Sequence, residues 1–497
     1  MGADSRRRGR RARSGPRSPV AGAERKNVIL ATCCLSLLIV SMDLTIVNVA
    51  LPAIHAEFHV HDGHSEQLMQ WVVNIYPLVL ASLLILGGAT GDRFGRRRVF
   101  RIGLTVFGSA SLLCSLAPTL ETLIAGRALQ AAGGAMMNPV ALSIISQVFS
   151  GRVERSRALG VWGAMSGLSL ALGPVIGGFL SQFVGWRSVF WINPAICLAA
   201  LILTALHVPE SKSAAARDID PIGQLLLVIG LFGLVFVLVE GPWLGWSHPG
   251  ILTAGFTGAL ALLTLPRYES GRRDRFIDLR FFRSEPFASA TAIALLEAAV
   301  WGAFLLMMSL YLQSERGYPA SRTGLMFLPV AVGLLVVSPL SGRMTGRFGA
   351  RPPLLVTGLS ISTVSVLLMF LTATTPAWVL LVIFAIAGVA FGMVSPPIIS
   401  TALSGMPPDR AGAAAAVIST NRQIGVAIGI ALCAEVAGSS RALGNSDFAT
   451  SSEPLWWLGI AVGLVVVGLA VSSTSARAER SAQRLAGLIE GRTVGTR

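Results

Sequence analysis

Charge is scarce in this 497-residue sequence. Asp, Glu, Lys and Arg together make up 13% of it, about half of the roughly 25% usual in a soluble domain. Water is therefore not its main solvent. Lysine is nearly missing, standing only at Lys26 and Lys212 among abundant arginines. Cysteine is limited to Cys33, Cys34, Cys114, Cys197 and Cys433, all inside apolar segments. That placement excludes an extracellular disulfide framework and leaves them as small buried hydrophobes. No phosphate-binding loop of the Walker type and no nucleotide domain is present, which argues against ATP as a fuel. A nucleophile paired with a base and a zinc signature are lacking too, so no catalytic residue, cofactor or resident metal is expected and the chain does not read as an enzyme.

What fills the sequence is hydrocarbon: 53% of residues are hydrophobic and the mean hydropathy is +0.67. Apolar runs near the roughly 20 residues needed to cross a bilayer recur along the whole length. Bounded by charge, Pro or Gly clusters, they fall at 28–50, 68–89, 99–117, 119–148, 157–184 and 187–207, then 222–240 and 249–267. Six more lie at 287–313, 322–342, 352–372, 376–400, 411–437 and 454–474. The expectation is an all-α polytopic membrane protein with fourteen spans grouped six, two and six. The opening MGADSRRRGRRARSGPRSPVAGAERK has no apolar core and reads as a disordered basic tail. The first apolar run is of full spanning length and lacks a clear cleavage site, so it is expected to stay as helix 1.

An even number of spans puts both termini on one side, and the arginines choose the side. Arg187, Arg316, Arg322 and Arg441 fall in loops of one side, Arg127 and Arg422 fall inside spans, and every other Lys or Arg falls on the opposite side. Cytoplasmic loops carry such an excess. Both termini are expected in the cytoplasm, with the chain in the plasma membrane. The net charge of +15 is thereby explained by topology, and nucleic acid is not expected as a partner. The expected units are a basic tail (1–26), a six-helix lobe (27–208), two inserted helices with their linkers (209–284), a second six-helix lobe (285–475) and a tail (476–497).

One cationic knot interrupts the apolar pattern, GATGDRFGRRRVF at 88–100, and it has an echo in GRMTGRFGAR at 342–351. A shift of 254 aligns Gly88, Arg93, Phe94, Gly95 and Arg97 with Gly342, Arg347, Phe348, Gly349 and Arg351. Both copies join the second and third helices of their sets. Such a parallel repeat is expected of a two-lobed transporter with its site between the lobes. The knot resembles the loop signature of the major facilitator superfamily. SMDLTIVNVALP, LIAGRALQAAGGAMMNP, GPVIGG, GWRSVFWINP and STNRQIGVAIG narrow the likeness to its fourteen-helix drug:proton antiporters. The resemblance covers residues 27–475, with departures at Ala89, Thr90 and Ala131. It implies a two-lobed fold, proton coupling and a hydrophobic drug or metabolite as cargo.

Physical chemistry assigns roles to these positions. Gly88 and the neighbouring Gly91 permit close backbone approach, and Gly95 suits a turn at positive φ. Asp92 can accept hydrogen bonds from a helix N-terminus or a neighbouring arginine. The loop Gly88, Asp92, Arg93, Gly95, Arg96 and Arg97 is expected to be a cytoplasmic latch between the lobes. Its plainer reading is a positive-inside anchor. The second copy has Gly346 in place of Asp92, so the latch is expected to be asymmetric.

Asp43 is an ionisable group inside a span, which is a functional hypothesis by default. At about 1.5 Å per residue it and Arg127 of helix 4 come to similar depths. A pair between them would offset two desolvation penalties, and protonating Asp43 would release the arginine. The alternative is a purely structural ion pair. Gln130 shares a face with Arg127. Glu297 is expected near the midplane of helix 9 with Trp301 one turn on, an arrangement suited to a lipophilic cation. An internal hydrogen bond and a second proton site are the alternatives there. Glu240 and Glu435 are expected to be solvated at outer helix ends.

Gly173, Pro174, Gly177 and Gly178 are the antiporter signature that the resemblance implies. Physically they allow helix 5 to pack closely and bend. His55, His59, His61 and His64 match no standard metal spacing and are expected in a solvated loop.

The sequence thus predicts a proton-driven exporter of a hydrophobic, sometimes cationic, small molecule that works by alternating access as a monomer in the lipid bilayer. A nutrient symporter or facilitator, and a membrane sensor that does not transport, are the rival readings.

Overall fold

The computed structural model describes residues 19–58, 63–149, 151–212, 220–271, 279–404, 411–442 and 448–489. Among them there is no β-strand. The helices are α1 (Pro19–Glu57), α2 (Gly63–Phe94), α3 (Arg96–Ser115), α4 (Leu120–Val148), α5 (Arg152–Phe183), α6 (Ser188–His207), α7 (Pro221–Leu244) and α8 (Pro249–Ser270). There follow α9 (Glu285–Leu310), α10 (Ala320–Met326), α11 (Leu328–Phe348), α12 (Arg351–Leu368), α13 (Ala377–Ala402), α14 (Ala411–Ala442), α15 (Phe448–Ser473) and α16 (Ala476–Ile489).

Local sequence explains where these helices start and stop. Thr119 caps α4 by accepting a hydrogen bond from the Thr122 backbone at 3.3 Å. Asp220 caps α7 in the same way through Gly223, at 3.0 Å, with Pro221 as the first helical residue. Between α2 and α3 the chain turns at Gly95, whose φ of 111° disfavours any side chain. Each of the fourteen expected spans lies on a helix, with one correction. The stretch at 322–342 is not one rod but α10 and α11, broken at Phe327. Pro329 in the first turn of α11 has no N–H to continue the preceding helix.

Twelve of the helical segments are long and apolar enough to cross a membrane. The N-terminal arginines of α3 and the polar first half of α5 dilute those two helices. Large apolar side chains line the outer surface: Leu198, Ile202 and Leu206 on α6, Phe256 and Leu263 on α8, and Phe370 and Trp378 flanking the α12–α13 turn are all exposed. In water such a belt would aggregate; in a bilayer it faces hydrocarbon, while helices satisfy their own backbone groups. The chain is a multi-pass membrane protein.

The inserted α7 lies along the seam between α2 and α14. Leu227, Leu231, Val235 and Val239 pack there with Leu78 and Ala81 of α2 and with Ala427 and Ala431 of α14. Glu240, expected to be solvated, is partly buried. It accepts hydrogen bonds from Gln67 Nε2 at 2.7 Å and Trp71 Nε1 at 2.6 Å, and so ties α7 to α2. The segment after α15, read as a tail, carries a further helix. α16 buries Ala478, Ala482 and Leu485 while Arg477 pairs with Glu285 at the start of α9, at 2.7 Å.

Candidate functional site

Two helices, α4 and α6, deliver hydrogen-bond donors to Asp43 on α1, and two more, α2 and α3, steady those donors. The Asp43 carboxylate is fully buried, and Arg127 on α4 is 1% exposed. One carboxylate oxygen, Oδ2, is held by the Arg127 guanidinium. The other, Oδ1, accepts from Gln130 Nε2 at 2.9 Å and Asn193 Nδ2 at 3.1 Å. Ser111 Oγ of α3 lies 2.7 Å from Gln130 and 3.2 Å from Asn193, which fixes both amides. Arg127 also donates to Gln130 Oε1 at 2.9 Å and to the Val72 carbonyl of α2 at 3.3 Å. Its guanidinium rests 4.4 Å from the Tyr76 ring. Both charges are thus paired and hydrogen-bonded, the condition under which a buried pair is tolerated. Removing one partner of such a pair costs about 3–5 kcal/mol, because the other is left charged and dry. Asn193, Ser111 and Tyr76 were not foreseen. Their only signal was polarity inside apolar helices.

α5 closes over this network from one side. A Cβ on Gly173 would strike Thr45 Oγ1 and come to 3.0 Å from the Met42 carbonyl; one on Gly177 would come to 2.7 Å from the Ile46 carbonyl. These two glycines therefore seat α5 on the turn of α1 that carries Asp43. On the neighbouring face, Gly178 meets the Ala320 carbonyl of α10, and Gly324 meets the Pro174 carbonyl, where a Cβ would come to 2.5 Å. Ser321 N donates to Gln182 Oε1 at 2.9 Å at the same end. Nearby, Ser309 and Gln313 donate to the Asn48 and Val49 carbonyls of α1, at 2.9 and 3.2 Å. At this end of the bundle, then, the chain before α7 and the chain after α8 are in backbone contact.

Glu297 on α9 is as deeply buried as Asp43, at 1% exposure. Its surroundings are poorer. Arg422 of α14 approaches Glu297 Oε2 to 3.8 Å, and that oxygen has no hydrogen-bond partner. Arg422 instead donates to Ser395 Oγ of α13 at 3.0 Å. Trp301 is buried rather than open: its ring centroid lies 4.5 Å from Phe391 in an edge-on contact, with Phe304 stacked at 6.5 Å. The expected acid and aromatic are both present, but the cation beside them is a residue of the chain.

In the 88–101 loop the glycines and Asp92 find their partners close by. Gly87 and Gly91 seat α2 against Ala135 and Val140 of α4. Asp92 Oδ1 accepts from Arg96 Nη2 at 2.8 Å, and Arg96 reaches Gln147 of α4 at 3.3 Å. Among the described residues the Asp92 carboxylate is thus engaged locally, and the cross-lobe contact expected of it is not made. The brace comes from Glu210, beyond α6, which accepts from Arg97 N at 3.1 Å. Arg97 Nη2 donates to the Ala205 carbonyl at 2.6 Å, and Arg96 N to the Ser211 carbonyl at 2.9 Å. A Cβ on Gly95 would stand 2.7 Å from Glu210 Oε1, whereas Gly349 in the second copy, at φ 82°, has open space. Glu210 was missed because an acid in a polar loop after a helix carries no periodic signal.

No group of three potential metal ligands exists among the described residues. His59, His61 and the side chains of His64 and Glu435 lie outside them.

Comparison with known proteins gives this arrangement its context. The model of the Major Facilitator Superfamily matches residues 33–430. The chain belongs to that superfamily. Similar relatives include the multidrug resistance protein Stp of Mycobacterium tuberculosis, 35% identical over 403 residues, 81% of this chain and 74% of Stp. The methylenomycin A resistance protein of Streptomyces coelicolor is 34% identical over 431 residues, covering 86% of this chain and 87% of the relative. The tetracenomycin C resistance and export protein of Streptomyces glaucescens is 32% identical over 408 residues, or 81% and 74% of the two chains.

Proposed function

We propose that this superfamily member is a fourteen-helix drug:proton antiporter that exports hydrophobic drugs, antibiotics or metabolites across the plasma membrane, with both termini in the cytoplasm. The relatives' names, which speak of multidrug resistance and of resistance and export, support the direction and class of cargo. The carrying observation is the fully buried Asp43–Arg127 pair in its cage of Gln130, Asn193 and Ser111.

Such a pair suits proton coupling because one proton removes the reason for the arrangement. Neutral Asp43 no longer holds Arg127, and the guanidinium must find other acceptors or move toward water. The Asp43 turn of α1 packs on Gly173 and Gly177 of α5, and α5 in turn on α10 at Gly178. A change at Asp43 therefore reaches the contact between the two six-helix lobes through touching backbones. With the termini inside, the contacts at Gly178 and Ser309 lie on the outer side, and alternating access requires them to part when cargo is released. Glu297, with the Trp301 and Phe391 rings beyond it, is the substrate-side acid in this reading. The 88–101 loop, braced by Glu210, sets how readily the inner side rearranges.

The test uses everted vesicles energised to an acid interior. Adding a transported drug should dissipate part of the pH gradient, by exchange of inward drug for outward protons. Drug accumulation that leaves the gradient untouched, and that persists when the gradient is collapsed by a protonophore, would contradict the antiport reading.

A further inference from the structure

The shift of 254 that aligns the two glycine-arginine loops also carries Asp43 of α1 onto Glu297 of α9. The two buried acids are repeat-related positions. Their arginines are not. The same shift takes Arg127 to Leu381 and brings Arg422 back to Leu168, so each half has supplied its cation from a different helix. The outcome differs in kind. Asp43 has partners on both oxygens, and its arginine is sealed at 1% exposure. Glu297 keeps Oε2 without a hydrogen bond, 3.8 Å from an arginine that is 31% exposed and tethered to Ser395.

A buried carboxylate with an unfilled oxygen is costly unless something neutralises it. Arg422 does so by charge alone, at a distance beyond hydrogen bonding. It also has somewhere else to go, because Ser395 already holds one arm and part of the side chain is open. We infer that Arg422 is a resident counter-ion that competes with a lipophilic monocation for Glu297. When such a cation arrives its charge takes the place of the Arg422 charge beside Oε2, and Arg422 withdraws toward Ser395 and water. A neutral drug has no claim on the carboxylate and leaves the pair in place. The competition sets selectivity: the pair lowers affinity for cations and leaves affinity for neutral cargo unaffected. This rests on the reading of Glu297 as the substrate-side acid.

The test is equilibrium binding of tetraphenylphosphonium to the full chain in nanodiscs, followed by dialysis of the labelled cation. Arg422→Gln, which keeps side-chain bulk and removes the competing charge, should tighten binding by about tenfold, a modest fraction of a unit-charge interaction at this range. Arg422→Lys should restore wild-type affinity. Ser395→Ala removes the tether that draws Arg422 away and should weaken binding a few-fold. Glu297→Gln should abolish the cation's advantage over a neutral probe. Unchanged or weaker binding in Arg422→Gln, with Glu297→Gln still impaired, overturns the competition while sparing the substrate-side reading. If Glu297→Gln binds the cation as wild type does, both fail. Should Arg422→Gln not fold, the Ser395→Ala affinity decides, and any value at or tighter than wild type overturns the inference.

Discussion

Asp43 and Glu297 occupy the same place in two copies of one repeat, and the molecule treats them in opposite ways. Asp43 is enclosed by hydrogen-bond donors from α4 and α6, themselves steadied by α3, and its arginine lies against Tyr76 of α2. Glu297 meets one distant arginine, with Trp301 one turn further along α9. In the proposed reading, the difference in their surroundings separates a lock from a seat. A fully partnered acid can hold a conformation until a proton dismisses it. An acid with an empty oxygen can receive a visitor.

That contrast can be broken experimentally, and the largest effect is expected in the lock. Arg127→Ala leaves Asp43 charged and dry, so it should lower stability by about 3–5 kcal/mol, read as a fall in thermal midpoint in detergent. Arg422→Ala should lower it less, because Arg422 is partly exposed and stands 3.8 Å from its acid without a hydrogen bond, so a weaker compensation is lost; equal falls would erase the distinction between the sites. Next comes Gly173→Val, which drives a side chain into Thr45 and the α1 backbone. It should abolish transport while Gly468→Val, where a Cβ has open space, leaves it intact.

Glu297→Gln should reduce export of a cationic drug by at least about tenfold, the scale of a lost unit-charge contact, and leave a neutral drug within a factor of about two. A drug panel in a pump-deficient host measures this, and equal loss for both drug classes would end the seat reading. The smallest effect sharpens the same comparison in the loops. Gly95→Ala adds a crowded contact with Glu210 to the left-handed strain of about 1–2 kcal/mol, whereas Gly349→Ala bears the strain alone. Turnover should slow more in Gly95→Ala than in Gly349→Ala, with drug affinity unchanged in both.

The helices could be read from sequence because a bilayer imposes length and hydropathy on every span, whereas the break at Phe327 was not foreseen. The Asp43–Arg127–Gln130 core was also readable, since depth along a helix follows from counting residues and both charges had to find a partner in hydrocarbon. Asn193 and Ser111 were not, because a single amide or hydroxyl in an apolar helix is compatible with many local hydrogen bonds. Arg422 stood in plain view inside a span, yet its pairing with Glu297 depends on α9 and α14 being neighbours, which hydropathy does not reveal. In the loop, the neighbouring arginine expected for Asp92 is Arg96, and what could not be read was the brace. The Asp92 spacing to Arg96 is one helical turn, so a local pair satisfies it before any distant partner is needed, while the actual brace, Glu210, lies more than a hundred residues along the chain from Arg97.

The central claim is that protonation of Asp43 couples the gradient to export, and Asp43→Asn in everted vesicles addresses it directly. The variant should still exchange labelled for unlabelled drug across the membrane with no gradient applied, while addition of drug no longer dissipates a preformed pH gradient. A variant that dissipates the gradient on drug addition to the same extent as wild type, at equal protein content, would contradict it.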